Sequence, residues 1–144
     1  MSKSQTSSNN LADSGAIPLA GWKLVVADDE PDQLAFLATV FEDHGGTVFK
    51  ATNSDEALEL VRSQKPDLLT LDLAMPGRNV GEVFEILRKD PEFESLKICI
   101  ITGRPELRGL IYQNSFRRPE GFLTKPVTEE SLLAAVRRCL ELHH

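Results

Sequence analysis

The sequence predicts an α/β fold: a five-stranded parallel sheet with helices on both faces. Three observations predict it. Short apolar runs at 23–27, 47–50, 68–71, 97–101 and 121–124 alternate with segments of helical periodicity, the signature of repeated β-α units. Several of these runs are apolar nearly throughout, as strands covered on both faces are. Charged or hydroxyl residues stand just past four of the runs: Asp28-Asp29, Asp72, Thr102 and Lys125.

The elements follow in order. Met1 to Gly21 is rich in Ser, Asn, Gly and Ala without a sustained apolar period, and reads as a flexible arm preceding a domain over 22–144. Ile17, Leu19 and Trp22 are the residues through which such an arm would dock. Lys23–Ala27 is the first strand. Pro31 suits the first position of the next helix, where a missing N–H costs nothing. Leu34, Leu37, Ala38 and Phe41 form that helix's apolar face, and Gly45-Gly46 stops it. Thr47–Lys50 is a short second strand. Ser54 is placed to cap a second helix, with Asp55 and Glu56 favourable to its dipole. Leu68–Leu71 is a third strand that ends on Asp72, and a loop dense in turn residues runs from Met75 to Gly81. Val83, Ile86 and Leu87 mark a third helix, stopped at Asp90-Pro91. Lys97–Ile101 is the fourth strand. Leu107, Leu110 and Ile111 suggest a fourth helix, Gly121–Thr124 a fifth strand, and Thr128 caps a last helix whose Leu132, Leu133, Val136 and Leu140 face inward.

The chain's 144 residues suit one domain with a core of its own. A formal charge of -6, from 22 acidic and 16 basic residues, argues against nonspecific nucleic-acid binding. Arg117-Arg118 and Arg137-Arg138 read as solvated charge. Cys99 and Cys139 have no metal-site spacing and read as reduced thiols of a cytoplasmic protein. No apolar run approaches the ~20 residues of a membrane span, and no Walker-type or dinucleotide glycine motif is present.

In an open parallel sheet the carboxyl ends of the strands share one edge, where ligands bind. That topology gathers Asp28, Asp29, Asp72, Thr102 and Lys125 into one crevice. Three uncompensated carboxylates repel one another. A hard divalent cation removes the conflict, and Mg2+ is content with a few carboxylates, a carbonyl and waters. The Ala74 backbone carbonyl is the neutral ligand at hand. An aspartate oxygen is a competent nucleophile toward phosphorus, and metal plus ammonium would clamp the transferred group. Thr102 offers one rotatable O–H donor.

From Lys23 to Leu142 these residues resemble the receiver domain of two-component response regulators. The acid pair Asp28-Asp29, the strand-end Asp72, Met75-Pro76, Thr102 and Lys125-Pro126 carry the resemblance, in order and at matching strand ends. It implies a flavodoxin-like three-layer sandwich with five helices and strand order 2-1-3-4-5. It implies Asp72 as the phosphoacceptor, served by a sensor histidine kinase or a histidine phosphotransfer protein. Asp29 and Asp72 would hold Mg2+ directly and Asp28 mostly through water. Thr102 and Phe122 would be the switch pair, and Lys125-Pro126 a cis peptide, which X–Pro bonds tolerate. A downstream effector protein or a fused output domain would read the switched surface, with no direct contact to nucleic acid or membrane; nothing up to His144 indicates which. Two departures stand out. Gly81 lies nine residues after Asp72 where the family often has eight. Phe116-Arg117-Arg118-Pro119-Glu120 replaces the usual small residues before the fifth strand.

Asp72 as phosphoacceptor fits a signalling domain rather than an enzyme that turns over an external substrate. Arg104 and Ala74 flank it; Ala74 would leave the phosphoryl group open to water and Arg104 would screen it. The rivals are a receiver-like scaffold indifferent to phosphate, a flavin-binding module and a small-molecule phosphotransfer enzyme. The last would usually carry an acid two residues after the nucleophile, where Ala74 stands.

Overall fold

The structure is a computed structural model and describes residues 18–112 and 116–141. In chain order its elements are β1 (Lys23–Ala27), α1 (Pro31–Asp43), β2 (Thr47–Ala51), α2 (Ser54–Gln64), β3 (Leu68–Leu71), α3 (Val80–Lys89), β4 (Lys97–Thr102), α4 (Gly109–Tyr112), β5 (Gly121–Thr124) and α5 (Glu129–Cys139). Two 3-10 turns, Pro91–Phe93 and Pro105–Arg108, lie between them. The strands pair in parallel in the order β2-β1-β3-β4-β5. This is the flavodoxin-like order expected.

The side-chain period of two divides the core. Val25, Leu69, Leu71, Ile98 and Ile100 point to one face and pack with Val61 of α2, Phe84 of α3 and Ile111 of α4. Leu24, Val26, Leu68, Cys99 and Ile101 point to the other and pack with Leu37 and Phe41 of α1 and Leu132 and Val136 of α5. Both faces of each central strand are therefore dry, which explains the unbroken apolar runs. All strands point the same way, so the residues following β1, β3, β4 and β5 emerge on one rim.

Two expectations need correction, the start of the packed chain and the cap of α2, and the fourth helix is present in a shortened form. The expectation is a flexible arm through Gly21, yet Leu19 is fully buried in the α1–α5 side of the core, and its N–H donates to the His44 carbonyl at 2.7 Å. The packed unit thus reaches back past Trp22 to Leu19; Met1 to Ile17 lie outside the described residues. The cap of α2 is Asn53, whose side chain accepts from the Glu56 N–H at 2.8 Å, and Ser54 is the first helical residue. The fourth helix is one turn of α-helix behind a 3-10 turn. Pro105 and Gly109, both poor interior helix formers, stand where a continuous helix would run.

The basic pair Arg117-Arg118 is exposed, as expected of solvated charge, and is also held from below. Arg117 donates to the carbonyls of Glu94 and Leu96, both at 3.3 Å, and pairs with Glu120 at 3.2 Å. Arg118 lies 4.5 Å over the Tyr112 ring. Both lean on Arg88, whose side chain is 2% exposed and donates to the carbonyls of Arg117, Arg118 and Leu96 and to Glu120. Glu120 in turn accepts the Ile98 N–H at 2.8 Å. This polar knot ties the segment before β5 to the amino-terminal rim of the sheet, opposite the acids.

Cys99 and Cys139 are both buried and free. Their sulfurs meet at Gly121: a Cβ there would lie 2.9 Å from one and 2.8 Å from the other. Contact with Cys139, and burial, push the Cys99 thiol well above its ordinary pKa. No helix among the described residues is long and apolar enough to cross a membrane.

Candidate functional site

The carboxyl-terminal rim brings the predicted residues together. Asp28 follows β1 and is 1% exposed; its N–H donates to the Ala51 carbonyl, holding it to the end of β2. Its Oδ1 accepts the Glu30 N–H at 2.9 Å, a local turn that aims Oδ2 across the rim. Asp29 is exposed at the mouth. Asp72, at the end of β3, is 4% exposed, and its Oδ1 accepts the Ala74 N–H at 3.1 Å. One oxygen each from Asp28, Asp29 and Asp72 fall within 4.8 Å of one another.

Lys125 closes the site from β5. Its backbone N–H donates to the Thr102 carbonyl at 2.8 Å, which registers the residue against the end of β4. Its Nζ lies 2.9 Å from Asp72 Oδ2 and 2.8 Å from Asp28 Oδ2. The peptide to Pro126 is cis. Pairing with Asp72 was expected; the equal contact with Asp28 was not, because no spacing rule links a residue after β1 to one after β5. Thr102 is the last residue of β4 rather than the first beyond it, fully buried, with Oγ1 accepting the Arg104 N–H at 3.0 Å. Phe122 is partly buried against the α2–α4 side of the core, its ring 6.1 Å from that of Tyr112. The Arg104 side chain is exposed and paired with Glu106 at 2.6 Å.

The electrostatics are those of a charge-deficient pocket. Burial raises the Asp28 pKa, and its contacts with Lys125 and the Glu30 N–H only partly offset this. Burial works against the Lys125 ammonium, but its close contact with Asp28, the hydrogen bond it donates to Asp72 and the charges of both carboxylates prevail and raise its pKa. Asp28 Oδ2 is fully shielded yet has no donor aligned on it as a hydrogen bond, so Lys125 serves it as a nearby charge. Three carboxylates facing one ammonium leave negative charge over. Oxygen donors at this spacing, with an oxygen whose bonding capacity is unspent, fit a hard divalent cation.

The model of the response regulator receiver domain matches residues 24–137. Protein PilH of Pseudomonas aeruginosa is 31% identical over 118 residues, covering 82% of this chain and 97% of PilH. A 14.6 kDa protein encoded beside sodA1 in Leptolyngbya boryana is 35% identical over 125 residues, covering 85% of this chain and 93% of that protein. The chemotaxis response regulator CheY4 of Vibrio cholerae superposes with a TM-score of 0.71 at 22% identity, over 83% of this chain and 98% of that one. The receiver domain of a sensor histidine kinase from Pseudomonas aeruginosa, crystallised with a magnesium ion in its active site cleft, superposes at 0.75 with 17% identity, over 85% and 99%. At these identities the two structures speak for the fold.

Proposed function

This chain belongs to the family of response regulator receiver domains, and on that premise we propose that it is a phosphorylation switch with Asp72 as its phosphoacceptor. The observation that carries the reading is Lys125 Nζ held between Asp28 and Asp72, at 2.8 and 2.9 Å, beside three carboxylates able to share one ion. The donor would be a sensor histidine kinase or a histidine phosphotransfer protein. An Asp72 oxygen attacks phosphorus, the O–P bond forms, and the N–P bond of the phosphohistidine breaks as imidazole leaves.

The residues that would hold Mg2+ are Asp28, Asp29, Asp72 and the Ala74 carbonyl. Bound there, Mg2+ would supply positive charge against the phosphoryl oxygens. Lys125 does the same from the β5 side, releasing part of its hold on Asp28 and Asp72 to reach the new oxygens. Thr102 exchanges its bond from the Arg104 N–H for one donated to the phosphoryl group. Phe122 then moves inward, away from the Tyr112 ring, and the surface of α4, β5 and α5 repacks. A local change of charge thereby shifts the balance between two packings. A downstream effector protein or a fused output domain reads the result.

The test is intact mass after incubation with acetyl phosphate and Mg2+. Wild type should gain one phosphoryl group, and Asp72→Asn and metal-depleted wild type should not. An adduct on Asp72→Asn at the wild-type level would overturn the assignment.

A further inference from the structure

The start of α2 holds down the loop between Asp72 and α3. The Ser54 N–H donates to the Pro76 carbonyl at 3.1 Å. The Ser54 hydroxyl, on a residue with no exposed surface, reaches the carbonyls of Pro76 and Arg78. Asp55 takes the other side of the same loop residue: its Oδ2 accepts the Arg78 N–H at 3.3 Å, and its Oδ1 pairs with Arg78 Nε at 3.2 Å. Between these anchors Gly77 has φ +99, and a Cβ there would stand 3.0 Å from both Ser54 Oγ and Asp55 Oδ2. Such close approach in a left-handed conformation is open only to glycine. Met75, just before, is packed against the α2–α4 side of the core.

From this we infer that Ser54 and Asp55 are positioning residues for the metal site: they fix the loop that carries the Ala74 carbonyl and so preorganise it as a ligand. Neither touches Asp28, Asp29, Asp72 or Lys125 among the contacts described. Their action runs along the backbone. Pro76 and Arg78 are held on α2, Met75 is held in the core, and Ala74 is pinned at its other end by its own N–H on Asp72 Oδ1. A carbonyl fixed from both sides needs no ordering when the ion arrives. The ion pair between Asp55 and Arg78 is half exposed and contributes little by itself. The buried Ser54 hydroxyl and the backbone bonds carry the restraint, and Asp55 keeps Arg78 within their reach. The inference rests on the metal-site reading given above and goes beyond it, since the sequence marks Ser54 and Asp55 only as helix-start residues.

The experiment titrates the apo-protein with Mn2+ as a probe for the divalent ion, counting free Mn2+ by electron paramagnetic resonance. The proteins are wild type, Ser54→Ala, Asp55→Ala, the double variant, Asp55→Asn and Lys65→Ala, the last removing a surface ion pair at the far end of α2. Partners that orient metal ligands are worth roughly 10- to 100-fold in affinity; with half of this latch at the surface, the double variant should lose about 10-fold. Asp55→Asn keeps an oxygen for the Arg78 N–H and should stay near wild type, as should Lys65→Ala. Thermal melts show that each protein is folded, and a general loss of stability would not separate Asp55→Asn from Asp55→Ala. Equal Mn2+ affinity in the folded double variant and in wild type overturns the latch alone. A wild type that holds no Mn2+ overturns the latch and the metal site together.

Discussion

A single side chain, Lys125, decides the state of the acidic rim. Asp28 and Asp72 are almost wholly buried, and two shielded carboxylates side by side are tolerable only because one ammonium lies between them. Removing one partner of a buried ion pair commonly costs 3–5 kcal/mol, because the charge left behind is uncompensated. Lys125→Met should therefore lower stability by about 3 kcal/mol in EDTA, the low end of that range, since the ammonium keeps some contact with solvent. Added Mg2+ should restore more stability to the variant than to wild type, because it would relieve the same repulsion. Urea denaturation of both proteins with and without Mg2+ checks this. Equal Mg2+ responses would mean that the ion and Lys125 serve different charges.

At the scale of elements, β5 is the strand with the least burial of its own, and its entry is held by side chains. Arg88 from α3 and Arg117 clamp Glu120, and Glu120 accepts the Ile98 N–H on β4. Burial alone would raise the Glu120 pKa, but the Ile98 N–H and the two guanidinium groups outweigh it and hold it below the usual value. A carboxyl with a depressed folded pKa contributes stability that is fully present above its unfolded pKa. That contribution is lost as pH falls through the folded value. Glu120→Gln should thus destabilise at neutral pH by about 2 kcal/mol, the scale of a hydrogen bond to a charged group. The gap from wild type should close as pH drops below about 4.5, the ordinary glutamate range. Urea midpoints at pH 7 and pH 3.5 for the two proteins test the sign; a gap that widens on acidification would contradict it.

For the molecule as a whole, what the sequence discloses depends on the range of the forces involved. β1 and β3 run where the apolar runs place them, because a strand dry on both faces leaves a local imprint. Asp28, Asp72, Thr102 and Lys125 could be placed on one rim because parallel topology does so for any such chain. The Lys125–Asp28 contact, the Arg88–Glu120 knot and the hold of Ser54 on the loop beyond Pro76 are different. Each joins side chains from distant segments, and nothing in periodicity or spacing encodes which way a long side chain turns. The displaced α2 cap has a nearer reason: Ser54 and Asn53 are adjacent and comparable caps, so residue type alone does not choose between them.

Gly121 gives the whole molecule a last property. By making room for both sulfurs it seals Cys99 and Cys139 inside, at 0% and 1% exposure, on two elements that meet only in the folded state. Alkylation of either thiol then has to wait until the layers part, and its rate tracks the population of that open form. In mild urea, iodoacetamide should modify the two together, with no singly labelled species in the mass spectrum. Accumulation of protein labelled on Cys139 alone would show α5 peeling away first. The chain thus carries its own stopwatch for breathing, read without any added dye.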